Sequence, residues 1–456
     1  MQILIVGGGL VGSTLAARLS QSGRDVVLIE RDGELARRLT AKLDVQVIEA
    51  DGTLARVLRE AGIEKADVVV AMTESDEANM VVAMLSATLF EVPCMLVRLR
   101  NAGHEEGFAW IARERHRDYR AINPVSAAVD RILALLVVPG ALDVAPFMDG
   151  ELLVAGFRIR DGSDLAGLTV SHMSLLFADA PTLVAAIQRG PRWIVPHGGE
   201  ELRAGDIAYF AIARADLANV IALVRGEPAR RSGGSDRPRV LIAGATRIGL
   251  DLARRLEAED VRVVLIEEDP VRAREAAEQL GDTLVVHGHP TDETLLEEED
   301  IERVSTFVAV TEDYEDNLVA GLLARRLGAE RAFALIDNPD LVHLIGEVAI
   351  DAIISPRLLA VSLALQHIRG TGVRSVAALL EDRIEVIEAE CAEGSRLVGK
   401  PLADLSLPRG MLIAALRRDG RIVVPRGHDR IEAGDTVLFV TTLEEAPRVS
   451  TLLSAD

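Results

Sequence analysis

At 456 residues, 49% of them hydrophobic, the chain is long enough for several buried cores, and 71 acidic against 50 basic side chains leave a formal charge of −21. That field opposes general binding to nucleic acid or to anionic lipid. Two cysteines exclude a disulfide framework or a thiolate metal site, and no stretch of about 20 residues is free of charge, which excludes an evident membrane span.

ILIV at 3–6 reads as a strand buried on both faces, beginning so early that a signal peptide has no room. Gly7-x-Gly9-x-x-Gly12 follows, with Gly8, Leu10 and Val11 as its other members, and opens a helix predicted over Val11–Ser20. Gly7 permits a tight turn, Gly9 lets backbone amides approach a diphosphate, and Gly12 lets helix and sheet pack closely. The helix N-terminus adds N–H donors and partial positive charge. Glu30 closes the next strand, Val26–Ile29, at the distance where a carboxylate accepts ribose hydroxyls and repels a 2′-phosphate.

Strands are predicted at Val45–Ile48, Val68–Ala71 and Cys94–Val97, with helices at Glu34–Lys42, Leu54–Ala61 and Asp76–Leu89 between them. This alternation predicts a doubly wound parallel sheet. Asp51 follows the third strand, Thr73 and Glu74 follow the fourth, and Arg98 ends the fifth, all at carboxyl ends where such sheets take ligands. Helix capping by Thr53 or Ser75 accounts for the first two segments equally well, as a surface salt bridge does for Arg98. The basic run Arg113–Arg120 is interleaved with acids and reads as solvated surface, and residues 125–138 have helical apolar spacing, a face that needs a partner.

From about residue 141 short β-like pieces alternate with turn signals, forming a small α+β module to about 225. A Gly/Pro/Ser-rich linker at 226–237 follows, and then the pattern repeats. One interval separates Gly7 from Gly244 and Glu30 from Glu267, which marks a duplicated domain. The expected plan is Rossmann domain 1–140, module 141–225, linker 226–237, Rossmann domain 238–370 and module 371–456. The fold class is therefore α/β, two Rossmann-like doubly wound parallel sheets each followed by a small α+β module. Ala204-Gly205-Asp206 in the first module answers Ala433-Gly434-Asp435 in the second.

The second glycine turn is Gly244-Ala245-Thr246-Arg247-Ile248-Gly249. Threonine replaces the middle glycine and crowds a phosphate, although its hydroxyl offers a bond. Glu267 and Thr311 are retained, and the counterpart of Arg98 falls near Ile336 or Asp337, so no arginine is there. A second nucleotide site, weaker or of different preference, is expected on these residues. His287-Gly-His289 reads as a polar turn, Glu297–Asp300 as a solvated helix face, and no catalytic constellation emerges.

GGGLVGSTLA with Glu30, TESDEAN, the Asn123-Pro124 and Ser355-Pro356 elements, and two modules with the Ala-Gly-Asp turn resemble, in order and duplicated, the RCK/KTN family in its tandem form. The resemblance covers nearly the whole chain. It implies a non-catalytic cytosolic regulatory subunit of Trk-type potassium uptake, held at the inner face of the cell membrane by a TrkH/TrkG-like potassium-translocating subunit. It implies binding of NAD or NADH, with ATP or ADP as further ligands, contacts from Gly7, Gly9, Gly12, Glu30, Thr73 and Arg98, and a ring that is a tetramer of chains. The alternatives are an NAD-dependent dehydrogenase and a nucleotide-sensing subunit of another cation transport system.

Overall fold

The computed structural model describes residues 1–115, 118–177, 182–225, 237–259, 261–337, 350–368, 373–379 and 384–453. It divides into two compact units, Met1–Ala127 with Pro356–Val376, and Ala128–Ser355 with Ala377–Asp456.

The first unit is built on a six-stranded sheet of β1 (Gln2–Val6), β2 (Asp25–Glu30), β3 (Gln46–Glu49), β4 (Val68–Ala71), β5 (Cys94–Arg98) and β6 (Asp118–Ile122). The order is β3-β2-β1-β4-β5-β6 and every pairing is parallel. This is the doubly wound order whose reversal between β1 and β4 opens a crevice at the carboxyl edge. Helices α1 (Leu10–Gln21), α2 (Gly33–Lys42), α3 (Ala55–Glu60), α4 (Asp76–Thr88) and α5 (Ala102–Arg115) connect the strands. The predicted elements lie within a residue or two of these.

Strand β6 corrects the reading of Arg113–Arg120 as solvated surface. Asp118-Tyr-Arg-Ala-Ile122 alternates along an edge strand that buries Tyr119 and Ile122, and the Tyr119 hydroxyl donates to Val92 O at 3.1 Å. Interleaved charge masked the period of two, because only one face of an edge strand meets the core.

Ala360, Val361, Ala364, Leu365 and Ile368, from the helix Pro356–Ile368, pack in the core formed by Ile3, Ile5, Leu15 and Leu19 of this first unit. That helix follows the second Rossmann sheet in sequence. The linker expected over 226–237 lies outside the described residues except for Arg237.

The second unit repeats the sheet, with β12 (Arg239–Ala243), β13 (Arg262–Glu267), β14 (Leu284–His287), β15 (Thr306–Ala309), β16 (Ala332–Leu335) and β17 (Ala352–Ile354) in order β14-β13-β12-β15-β16-β17, all parallel. It includes most of the helix Pro124–Val137, whose apolar face required a partner. Asp130 there pairs with Arg255 at 2.5 Å, and Leu135 O accepts from Arg331 Nη1 at 2.9 Å.

Two five-stranded modules complete this unit. One comprises β7 (Asp143–Phe147), β8 (Leu152–Arg158), β9 (Thr182–Arg189), β10 (Arg192–Ile194) and β11 (Ile207–Ala213), in order β10-β9-β11-β8-β7. The other comprises β18 (Val373–Leu379), β19 (Ile384–Glu390), β20 (Met411–Arg418), β21 (Arg421–Val423) and β22 (Thr436–Thr442), in order β18-β19-β22-β20-β21. They share one core, in which Phe147, Val154, Tyr209 and Ala211 meet Val386, Ala415, Leu438 and Val440. The buried Glu388 carboxylate accepts the Met148 amide at 2.8 Å across it.

The Ala-Gly-Asp turns acquire a structural reason. Buried Asp206 is gripped by Arg189 through Nε at 3.0 Å and Nη2 at 2.8 Å, and accepts the Arg203 amide at 2.9 Å. Asp435 receives the same fork from Arg418 at 2.9 and 2.6 Å. Each fork ties a hairpin end to the turn before the next strand. Asp206→Ala removes the fork and leaves the Arg203 amide without its acceptor while Arg189 keeps Glu200, and should cost about 1–3 kcal/mol, read as a lower denaturant midpoint with an unchanged slope.

Candidate functional site

The first crevice begins where β1 ends. Gly7 has φ +105°, and a Cβ there would lie 2.8 Å from Thr73 N, so only glycine serves. A Cβ on Gly12 would overlap the Gly7 carbonyl oxygen, backbone against backbone. These two glycines are demanded by the fold itself. Gly9 is different: its φ is −60°, a Cβ there meets nothing within 4 Å, and it caps α1 without any side-chain bond. No side chain caps the opening of α1, the end at which a helix offers its amides to an anion. Leu10 beside them is exposed and Val11 is buried.

Glu30 is buried and already engaged, with Oε2 accepting the Gly8 amide at 2.6 Å and Oε1 the Asp32 amide at 2.8 Å. It props the glycine turn, each of its two oxygens accepting a backbone amide. Asp51 Oδ1 accepts from Thr53 Oγ1 at 2.7 Å and Thr53 N at 2.9 Å, and those bonds hold the Asp51 carboxyl below its usual range.

Thr73 is placed at the carboxyl end of β4, yet its hydroxyl donates to Asn79 Oδ1 at 2.7 Å, so its proton serves the turn and only its lone pairs remain for a ligand. Asn79, fully buried on α4, also accepts the Thr73 amide at 2.9 Å and donates to the carbonyls of Thr73 and Arg98 at 3.1 and 2.9 Å. It fastens the β4 turn to the end of β5. Glu74 is exposed, and its carbonyl accepts from Arg100 Nη2. Arg98 occupies the last position of β5, half-buried at the crevice edge.

Two residues not singled out from the sequence matter here, Asn79 and Asp76. The signal was present as the repeated spacing Thr73 to Asn79 and Thr311 to Asn317. Asp76 is buried and accepts the amides of Arg100 and Asn101, each at 2.9 Å. Burial alone raises its carboxyl, but those amides, His104 and the Arg100 guanidinium outweigh burial and hold it low.

The second crevice keeps the frame. Gly244 has φ +107°, and a Cβ on Gly249 would overlap the Gly244 carbonyl oxygen. Buried Glu267 accepts the Ala245 amide at 2.7 Å and the Asp269 amide at 3.0 Å. Thr311 bonds to Asn317 as Thr73 does to Asn79, and Asn317 Nδ2 donates to Leu335 O at 3.0 Å. The counterpart of Arg98 is therefore Leu335, not Ile336 or Asp337; the strand gives no arginine there in either register.

Its contents differ. Thr246 Oγ1 accepts the Gly249 amide at 3.3 Å and donates to Val310 O at 2.8 Å, so this helix caps itself. Arg247 beside it is exposed and Ile248 is buried. Arg272 pairs with Glu267 at 3.0 Å and with Glu312 at 3.7 Å. His289 lies 3.4 Å from Glu268 and 3.7 Å from Asp316. Arg272, Glu267, Glu268, His289, Glu312 and Asp316 line one cleft. Among the described residues no group of three or more His, Cys, Asp or Glu side chains is set to hold a metal ion, and no helix is long and apolar enough to cross a membrane.

Tandem Rossmann sheets with paired β-modules define the class of protein, and known proteins share this architecture. The TrkA-N domain family matches residues 3–112 and 240–356, and the TrkA-C domain family matches 386–454. The Trk system potassium uptake protein TrkA of Azorhizobium caulinodans is 32% identical over 99% of this chain and 98% of its own length. That of Haemophilus influenzae is 33% identical over 99% and 98%. The chain belongs to the TrkA family of Trk system potassium uptake proteins. The crystal structure of the GsuK RCK domain has the same fold, with a TM-score of 0.60 at 19% identity, covering 99% of this chain and 94% of that one. The GsuK channel bound to NAD superimposes with a TM-score of 0.59 at 20% identity, over 99% and 78%.

Two predictions come from this geometry. Gly12→Ala should unfold or strongly destabilise the first Rossmann unit, whereas Gly9→Ala, a change of helix cap without a clash, should cost only about 1 kcal/mol, both read in denaturant melts. Because the folded Asp76 carboxyl lies below its unfolded value near 3.8, its contribution is complete above that value and is lost as pH falls through the folded value. Amide exchange over residues 100–115 should accelerate in that acid window, and Asp76→Asn should already exchange fast at neutral pH.

Proposed function

We propose that the chain is a non-catalytic, nucleotide-sensing subunit that regulates a membrane potassium-translocating partner of TrkH/TrkG type. The observation that carries this reading is Gly9. The fold places no demand on it, yet it leaves the opening amides of α1 uncovered, which suits the diphosphate of NAD, NADH or ADP. Gly7, Gly8, Leu10, Val11 and Gly12 then form the cradle, Glu30 and Asp51 meet hydroxyls, and Thr73, Glu74 and Arg98 border the phosphates. The TrkA names of the full-length relatives, and the NAD named for the GsuK channel, support it.

Self-association into a ring, a tetramer of chains, belongs to the same proposal. Val81, Met84, Leu89 and Trp110, on and beside α4 and α5, are each more than 40% exposed, an apolar strip of the sort that buries in an interface. Attachment at the inner face of the membrane then runs through the protein partner, since the charge of −21 opposes anionic lipid. A ligand shifts the assembly only through its different affinity for two states, and a coupling of about 1–3 kcal/mol suffices for regulation.

Titration calorimetry with NADH tests the binding step. Gly9→Glu places a carboxylate over the uncovered amides and should weaken binding at least about tenfold, roughly 1.4 kcal/mol. Potassium flux through the reconstituted partner should respond to NADH and ATP with the wild-type chain and lose the NADH response with the variant. Steady turnover of NADH with a hydroxy-acid or carbonyl substrate would establish the dehydrogenase alternative instead.

A further inference from the structure

The two crevices share a frame and differ at the residues an anion would meet. Position by position, Thr246 stands where the first crevice has Gly9, Glu268 where it has Arg31, and Arg272 where it has Leu35. At the end of the fifth strand Leu335 replaces Arg98, as the asparagine bonds establish, and Asp337 stands where the first crevice has Arg100. In the turn after the fourth strand Asp313 and Asp316 replace Ser75 and Ala78. Two changes run the other way, Arg272 in place of Leu35 and His289 in place of Asp51, with Thr291 bonded to His289 at 2.7 Å as Thr53 is bonded to Asp51.

Each difference bears on a diphosphate. The Thr246 hydroxyl takes the Gly249 amide, a donor that an anion would otherwise use, and its methyl-bearing Cβ stands where Gly9 leaves space. The cation inside the second crevice, Arg272, is held by Glu267 and Glu312. Glu268, Glu312, Asp313 and Asp316 line the same cleft. A polyanion entering it meets like charge and a helix end that is already capped.

We infer that the second crevice is built to reject diphosphates, with Thr246 and Glu268 as its specificity-determining residues, so that each chain holds a single diphosphate, on Gly7–Gly12. The inference rests on the nucleotide-binding reading of the first crevice.

The test is calorimetric stoichiometry with ADP on the full-length chain. The wild type should bind one ADP per chain, and Gly9→Glu should weaken that binding at least tenfold. In the Gly9→Glu background, Thr246→Gly with Glu268→Arg, which copy Gly9 and Arg31, should restore one ADP per chain. Two comparable ADP sites in the wild type overturn the inference, as does a folded combined variant that gains none. Thr246→Gly alone, a smaller change, should add a measurable weak second site and guards against misfolding of the combination. Absence of ADP and NADH binding to the wild type would overturn the nucleotide-binding reading itself, a result distinct from either of these.

Discussion

The contact on which both crevices depend is backbone against backbone, the first helix of each Rossmann unit resting on the carbonyl of the glycine that ends the first strand. A Cβ on Gly12 or Gly249 would enter the space of the Gly7 or Gly244 oxygen. That closeness fixes where the helix starts and aims its amides over the carboxyl edge of the sheet. Glu30 and Glu267 complete the support, each accepting an amide of the turn that follows. Anything the crevices bind must accept this arrangement, because the interior behind it is too densely packed to shift.

On that shared frame the chemistry is set by what stands at the rim. An uncapped helix end carries unsatisfied donors that gain most from an arriving anion, whereas a hydroxyl cap satisfies one of them permanently. The first unit has the former at Gly9 and the second has the latter at Thr246. A duplicated domain can thus retain every packing contact while its two ligand edges diverge, since rim side chains contribute little to the core.

Much of this was legible in the sequence, and the reasons differ by element. Strands buried on both faces are continuous apolar runs, and glycines with positive φ have few substitutes, so β1, β2, β4 and the turns at Gly7 and Gly244 were readable. Strand β6 was not, because an edge strand exposes half its residues and its charges read as surface. Nor were the long-range pairings. Arg189 meets Asp206, and Asn79 meets Arg98 O, only once the sheets have assembled. Spacing marked Asp206 and Asp435 as repeated without saying that an arginine fork would hold each. The destination of the helix Pro356–Ile368, in the core of the first unit, is likewise a tertiary outcome that an amphipathic pattern leaves open.

On the proposed reading the chain senses a nucleotide and does no chemistry on it. Catalysis requires a group poised against the reacting atom, held by a rigid surround. Here the titratable side chains at the first crevice are taken up in structure, with Glu30 on two amides, Asp51 on Thr53 and Asp76 on Arg100 and Asn101. Each of these carboxylates accepts hydrogen bonds from the chain around it, and for Asp51 and Asp76 those bonds hold the carboxyl low. What they regulate is shape: Asp76 ties α4 to the start of α5, and Asn79 ties the β4 turn to β5. On the proposed reading an anion seated on the α1 amides acts on elements linked to the glycine turn, and Val81, Met84 and Trp110 form an exposed strip on the helices α4 and α5. On the proposed reading that strip, not the crevice, is where occupancy becomes a change in assembly.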